Sequence, residues 1–577
     1  MIQGIGLGIG INRSNYAQGI FSAYQSRVVA DGGVTEAGAC VNAVSSLLQS
    51  ASLLLIPSGY KSGKAYAEIP TNGNGDLTWT RASDAWRTNA DGLIQRVPWN
   101  LLSNTNTFSS WSLEGGALTS GFADPEGGLT AYRYVQTTGG LYSGSSTATS
   151  GNKTASIWLR SVSGTSITCN LQDGGSGNNT VVTVTGDWQL FTATYTTSTS
   201  RPSLYVWGIS NASGIFVWHP QLVEGSSAQT YFPTTDRLNV PRLSYMYGSC
   251  PALLLEPQRT NVFQNSGWTG GGATPTGWTS FISGSTTALA SIKNLSVTAY
   301  RFSGTSQRTF FVNSISVTSG TTYTISFYVE SVTTAAEIQQ CVSFGSSTSS
   351  TYYKNGVAIT SLTLVEAGNL YSVTWVAGTT ATADMRIGIG TQSNVTANIV
   401  ISMPQMEQGA YPTTFILSPV GASATRIADS FSRNNIYTNG LITSSGGTWF
   451  VELRGNLSYT RDNTQNQLLF SDTGLTNFFR LRNDGTPNTR LRIQKNVSGT
   501  TSDLFLTNTD TVKFAIKWNG STADVFVNGT KEVSATSFTA TQLQDLTVNP
   551  QVPIFVQAMG FYTTPLSDTQ CQTLTTL

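Results

Sequence analysis

Apolar residues along this chain recur at every second position in short runs, separated by clusters of Gly, Ser, Thr and Asn. SIWLRS at 156–161 and ISFYVES at 325–331 alternate cleanly, the pattern of a strand with one face on a core. ADVFVNGTKEV at 523–533 reads as a hairpin, because Asn528-Gly529 supplies the positive φ of a tight turn. NGNGD at 72–76 and NADG at 89–92 bound further short strands in AYAEIP, DLTWTRAS and GLIQRVPWN. Helical spacing is read in two places. Ala37, Cys40, Val41, Val44, Leu47 and Leu48 follow a capping Thr35, and Ser567 caps a short terminal helix in PLSDTQCQTLTTL. SLLLIPSGYK at 52–61 reads as a buried strand stopped by Pro57 and Gly59.

The strand pattern repeats at a larger scale. NLLSNTNTFSSW (100–111) parallels NVFQNSGW (261–268), and AYRY (131–134) parallels AYRF (299–302). KTASIWLRSV (153–162) parallels YTISFYVESV (323–332). PQLVEG with FPTT (220–235) parallels PQMEQG with YPTT (404–414). The order is preserved, so residues 100–235 and 261–414 read as two copies of one antiparallel sandwich module. Residues 1–60 form a segment too small for a comfortable core of its own, and 61–99 a β-rich connector. The stretch 236–260 is too apolar for a flexible linker and is expected to pack between the modules. A linker, 415–430, leads to a third unit at 431–577.

Composition narrows the function classes. The chain has 577 residues, of which 11% are charged, and its net charge is +1. That balance gives no electrostatic case for nucleic acid. No run of 18 apolar residues predicts a membrane-spanning helix. The start, MIQGIGLGIGINRS, lacks a basic segment before its apolar part and reads as no signal peptide. Cys40, Cys169, Cys250, Cys341 and Cys571 are dispersed and odd in number. They predict no disulfide framework and folding in a reducing cytoplasm.

The module ending PQ-L/M-x-E-G…Y-P-T-T, with an early Asn and Trp, resembles the carbohydrate-binding jelly-roll modules of phage tail and head proteins. In that pattern the acid follows Gln-Leu directly; Glu407 stands there in copy two, whereas copy one has Val223 there and Glu224 one position on. The third unit, through TWFVELRG, FAIKWNG with DVFVNG, and AMGFYTTPLSDTQCQTLTTL, resembles the concanavalin A-like (laminin-G-like) sandwich. YQSRVVADGGVTEAGACVNAV, LLLIPSGYKSGKAYAEIP, TRASDAWRTNADGLIQRVP, NVPRLSY and above all LLLEPQRTN are similar to stretches of virion fibre proteins of phages infecting Bacteroidetes, including crAss-like phages. The resemblance implies a mainly β chain of tandem antiparallel β-sandwiches, two jelly rolls and a concanavalin A-like sandwich, behind a small N-terminal segment with a short helix. It implies a head or tail fibre synthesised in the host cytoplasm and displayed on the virion surface. The N-terminal segment would anchor it to a capsid or tail protein. Self-association, a trimer before a dimer, and attachment to host surface glycans follow from the same resemblance. A tail-associated polysaccharide depolymerase and a secreted bacterial adhesin are the alternatives.

Few residues carry readable chemistry. Glycan hydrolysis calls for paired carboxylates, and WFVELRGN offers only Glu452, so an enzyme is not expected. His219, the single histidine, reads as a structural donor. Asp124 and Glu126 in the Gly-bounded turn FADPEGG offer hard oxygens for a structural calcium ion; no other cofactor is implied. Flat aromatic faces suit sugar rings, and Trp158, Trp188, Tyr205, Trp207 and Trp218 fall in predicted strands. Tyr205 and Trp207 share one strand face, opposite Leu204 and Val206, and are the favoured sugar-binding pair if Leu204 and Val206 point inward. Alternation alone leaves both orientations open.

Overall fold

The computed structural model describes residues 15–36, 40, 45–144, 151–173, 177–197, 203–305, 308–334, 342–343, 350–362, 365–390, 396–443, 445–455, 466–483, 491–506, 511–538 and 543–577. Among the described residues strands make up 51% and helices 5%, which places the chain in the mainly β class with several antiparallel sandwiches. Among the described residues no helix is long and apolar enough to cross a membrane.

The first module is a pair of five-stranded sheets. Its back sheet runs in the order Gln189–Thr197, Gly151–Ser161, Ile215–Glu224, Ala131–Val135, Ala117–Phe122, and its front sheet Asn179–Val184, Ile167–Gln172, Ser203–Trp207, Gly140–Gly144, Ser112–Leu113. Ile157, Leu159, Val217 and Leu222 from the back meet Leu141, Cys169, Leu171 and Val206 from the front in one core. The second module repeats the layout with a seven-stranded and a four-stranded sheet around Phe302, Phe327, Trp375 and Ile387.

The phrases shared by the two copies staple each module shut. Asn100 donates from Nδ2 to Phe232 O (2.9 Å) and accepts from the N–H groups of Leu102 and Leu222 (3.2 Å each). Asn261 does the same with Ile416 O (2.9 Å), Phe263 N (3.2 Å) and Met406 N (3.0 Å). Gln221 and Gln405 each bind the closing segment through both amide ends. The recurring Asn and Pro-Gln therefore satisfy buried backbone groups where first and last strands meet. The two glutamates diverge. Glu407 is fully buried and accepts from Thr413 and Gln405, while Glu224 accepts from Ser296 and lies 3.7 Å from Arg96.

The third sandwich is assembled from distant stretches of chain. Strand Ile554–Tyr562 pairs on one edge with Gly447–Arg454. Its other edge carries Leu53–Leu55 toward one end and Ala252–Leu255 toward the other. In the opposing ten-stranded sheet, Ser430–Arg433 joins Leu77–Thr80 to Asp545–Val548. Residues 53–80 and 243–255 are thus strands of the unit completed by 430–577, and both modules are excursions from it. The connector 236–260, expected between the modules, sends its LLL run into this sheet. The reason lies in double-sided burial. Leu53, Leu55, Leu253 and Leu255 face the large core with Trp449, Phe470 and Phe561, and Leu54 and Leu254 face smaller clusters on the other side. Strands covered on both faces read as unbroken apolar runs.

Buried charge ties the excursions together. Asp429 pairs with Arg81 (2.8 Å) and Arg242, and Glu256 pairs with Arg242 (2.7 Å) and Arg426 (2.9 Å), all at most 2% exposed. Glu256 also accepts from Thr414 N at 2.8 Å. Four segments, around residues 81, 242–256, 414 and 426–429, are locked at one point.

Two expectations need correction. Helix Asn15–Ala30, docked through Tyr24 and Val28 against Tyr66, escaped the sequence reading; its apolar stripe is too narrow to stand out. Of the helix expected after Thr35, the structure has Ser46–Gln49 capped by Ser45 and a helical Cys40; residues 37–39 and 41–44 lie outside the described residues. The terminal helix Asp568–Thr575 has the Ser567 cap, completed by Gln570 as a capping box. The cysteines also differ from expectation: Cys40 and Cys250 form a disulfide across 210 residues. Spacing could not show this pair, because only the return of the chain to the third sandwich brings its halves together. Cys169 and Cys571 are buried free thiols, and Cys341 is outside the described residues.

Candidate functional site: an aromatic sheet face on the first module

Strand Ser203–Trp207 is the middle strand of the front sheet. Leu204 and Val206 are 0% exposed in the core, which turns Tyr205 and Trp207 outward, and both are half-buried. Their ring centroids lie 6.3 Å apart with planes within 26°. Tyr142, cross-strand from Tyr205, packs edge-on to it at 5.7 Å. On the other side Asn170 pairs with Trp207 and Gln172 with Tyr205, and Asn179 donates to Asn170 Oδ1 at 2.7 Å. The result is an open floor of three rings edged by amides.

Backbone shape makes the floor possible. Gly140 lies opposite Trp207. A Cβ there would sit 2.6 Å from the Tyr205 ring and 2.7 Å from Val206 O, so only glycine lets the ring lie across its strand. The Tyr205 hydroxyl donates to exposed Glu114 (2.5 Å). Burial and this carboxylate push the phenol up to about 12. Trp207 Nε1 has no acceptor among the described residues.

The other residues singled out by sequence lie elsewhere. Asp124 Oδ1 accepts from Glu126 N and Gly128 N, and Oδ2 from Thr130 N and Thr130 Oγ1, at 2.7–3.0 Å. Burial acts to raise its pKa, but these donors outweigh it and hold it below the usual range. The carboxylate closes its own turn, and a cation would have to displace the donors. Among the described residues, no three or more His, Cys, Asp or Glu side chains cluster as metal ligands. His219, at φ 45°, stacks between Trp218 and Tyr231, and burial pulls its pKa down to about 3. It forms no hydrogen bond among the described residues, so it packs rather than donates. Met403 holds the same pre-proline position in the second module, with φ 53°. Glu452 lies beside Arg454 (3.3 Å) and Lys513 (3.6 Å). Trp158, Trp188 and Trp218 belong to the back-sheet side, away from Tyr205.

The second module builds the corresponding sheet differently. Its outward positions include Asp384 and Arg386, with stacked Phe281 and Phe310 on neighbouring strands. Among the described residues, the Tyr/Trp floor is found in the first copy.

No family model matches the chain, and no curated protein matches it. Among solved structures it is similar to domain 4 of AbnA, a GH43 extracellular arabinanase from Geobacillus stearothermophilus in complex with arabinotriose (13% identity, TM-score 0.22, 27% of this chain and 77% of that one). It is also similar to the N-terminal CBM22-1-CBM22-2 tandem domain of Paenibacillus barcinonensis Xyn10C (13% identity, TM-score 0.20, 54% and 97%). A third similarity is to the Ruminococcus gnavus IT-sialidase CBM40 (15% identity, TM-score 0.18, 24% and 85%). Likenesses at these TM-scores carry no functional weight, and the chain's own residues must supply the reading.

Proposed function

We propose that this chain is a glycan-binding structural protein of a virion surface, a head or tail fibre of phages infecting Bacteroidetes. The observation that carries the binding half is the outward Tyr142–Tyr205–Trp207 floor with its amide edge. Apolar sugar faces stack on such rings while hydroxyls exchange hydrogen bonds with amides and carboxylates. The virion half rests on the phrases similar to phage fibre proteins. LLLEPQRTN, the most specific, contributes both the doubly buried strand Ala252–Leu255 and Glu256 of the charge lock. In this reading the third sandwich is the framework, the modules project from it, and the N-terminal segment attaches a homo-oligomer to a capsid or tail protein.

Affinity electrophoresis through gels containing host surface polysaccharide tests the binding half. Tyr205→Ala/Trp207→Ala should abolish retention of the protein, a loss of about tenfold or more in affinity. Unchanged retention would remove this face from consideration, and release of new reducing ends would replace binding by hydrolysis. Immunogold labelling of intact virions tests the other half; absence of label from both head and tail would end it.

A further inference from the structure

The back sheet of the first module carries a second, chemically different face. Arg160 lies two residues beyond Trp158 on one strand, so both side chains point outward, and both are half-buried. The Arg160 guanidinium lies 4.6 Å from the centroid of the Phe216 ring and 5.4 Å from that of Trp188. Among the described residues it has no hydrogen-bond acceptor and no carboxylate partner. Arg133 flanks Phe216 from the opposite strand, since Phe216 pairs with Arg160 on one side and Arg133 on the other. Among the described residues its side chain hydrogen-bonds only to the carbonyl of Ser213, at 3.2 and 3.0 Å. The two arginines thus stand two strands apart, about 10 Å between their backbones, and among the described residues neither forms an ion pair. The carboxylate linked to this face, Asp124, is held by donors of its own turn. It is reached through Thr130, which accepts from Trp218 Nε1 at 2.7 Å.

A guanidinium laid against aromatic faces keeps its orientation but leaves its in-plane N–H groups free, and that fork matches a planar carboxylate. We infer that this face binds acidic oligosaccharides, uronic-acid chains in particular: a sugar ring rests on Trp158, its carboxylate meets Arg160, and a second carboxylate lies within reach of Arg133. The front floor offers the opposite chemistry, with Glu114 and no cation among the side chains described there, so the two faces select different glycans.

Isothermal titration of the full chain with oligogalacturonate, its carboxyl-reduced neutral counterpart, and sulfated dextran decides the matter. Wild-type protein should bind oligogalacturonate and not the reduced form. Arg160→Gln should weaken binding about tenfold or more. Arg160→Lys, which keeps the charge but loses the fork, should recover only part of it. Tyr205→Ala, on the other face, should leave this binding intact. Equal binding of the reduced sugar would overturn the inference. So would preference for sulfated dextran, or a loss caused by Tyr205→Ala but not by Arg160→Gln. Matching thermal unfolding of the variants guards against misfolding, and Arg133→Gln gives an independent decrease if Arg160→Gln does not fold.

Discussion

Glu68 lies 2% exposed beneath the helix Asn15–Ala30, accepting from Ile56 N (2.6 Å) and Ser58 Oγ (2.7 Å), and Ser58 in turn contacts the Tyr24 hydroxyl. Burial raises its pKa from 4.5 to about 8 against the lowering effect of those bonds. Its stabilising contribution is therefore complete below pH about 4.5 and is lost as pH rises toward 8. Glu68→Gln should unfold at a higher temperature than wild type at pH 8 and show little difference at pH 5. A parallel fall in both proteins across that range would refute the assignment. Glu256 behaves oppositely. Burial would raise it, but Arg426 and Arg242 hold it down to about 2, so its contribution is present above pH 4.5 and fades as pH falls toward 2. Removing one partner of this lock strands the other charges. Asp429→Asn is expected to cost about 3–5 kcal/mol in urea unfolding. Residue identity alone does not mark these two acids as buried. Other chain segments bury them, Ile56 and Ser58 with Tyr24 at Glu68, and Arg242, Arg426 and Thr414 at Glu256.

At the scale of the element, the strand pattern was largely legible. The hairpin Thr522–Val527 with Thr530–Ser537 has Asn528 at φ 47° and Gly529 at φ 85°, as the Asn-Gly pair predicts. Alternation placed Tyr205 and Trp207 on one face but could not say which face looked inward; core packing of Leu204 and Val206 settles it. The run at 53–55 was readable as a buried strand, but its partner was not, because Phe561 and Met559 lie some five hundred positions away in sequence. This partner changes what a truncation means. Removing residues 1–30 takes away a docked helix and should leave the third sandwich folded. Removing 1–60 withdraws Leu53, Leu55 and Tyr60 from the main core. With each large-to-small core loss worth about 2–5 kcal/mol, thermal unfolding should separate the two deletions sharply. Only the shorter one can report on particle attachment.

Across the whole molecule, the decisive feature is that both modules leave and rejoin one sandwich. A fragment spanning 99–236 contains every strand of the first module and should give a cooperative unfolding transition. A fragment spanning 431–577 lacks the strands from 53–80 and 243–255 and should be insoluble or molten by near-ultraviolet circular dichroism. The disulfide acts at the same scale, since Cys40–Cys250 spans the first excursion. Reduction, or Cys40→Ser, is expected to lower stability by about 2–5 kcal/mol, read as a shift of the unfolding midpoint.

The sequence by itself determined what depends on local period and repetition: strands rather than helices, tight turns at Asn-Gly, two copies of one module, and Tyr205 beside Trp207. It also placed Asn100 and Asn261 in corresponding frames, where the structure gives them the same hydrogen bonds. Tertiary structure decided whatever required distant segments to meet. It joined Leu53–Leu55 and Ala252–Leu255 to one strand, paired Cys40 with Cys250, buried Glu256 between Arg242 and Arg426, and set Arg160 against Phe216 and Trp188. Periodicity reports which side of a strand is apolar, because that is fixed by neighbours along the chain. Which surface covers that side depends on closing loops of more than a hundred residues, and no local pattern encodes the partner.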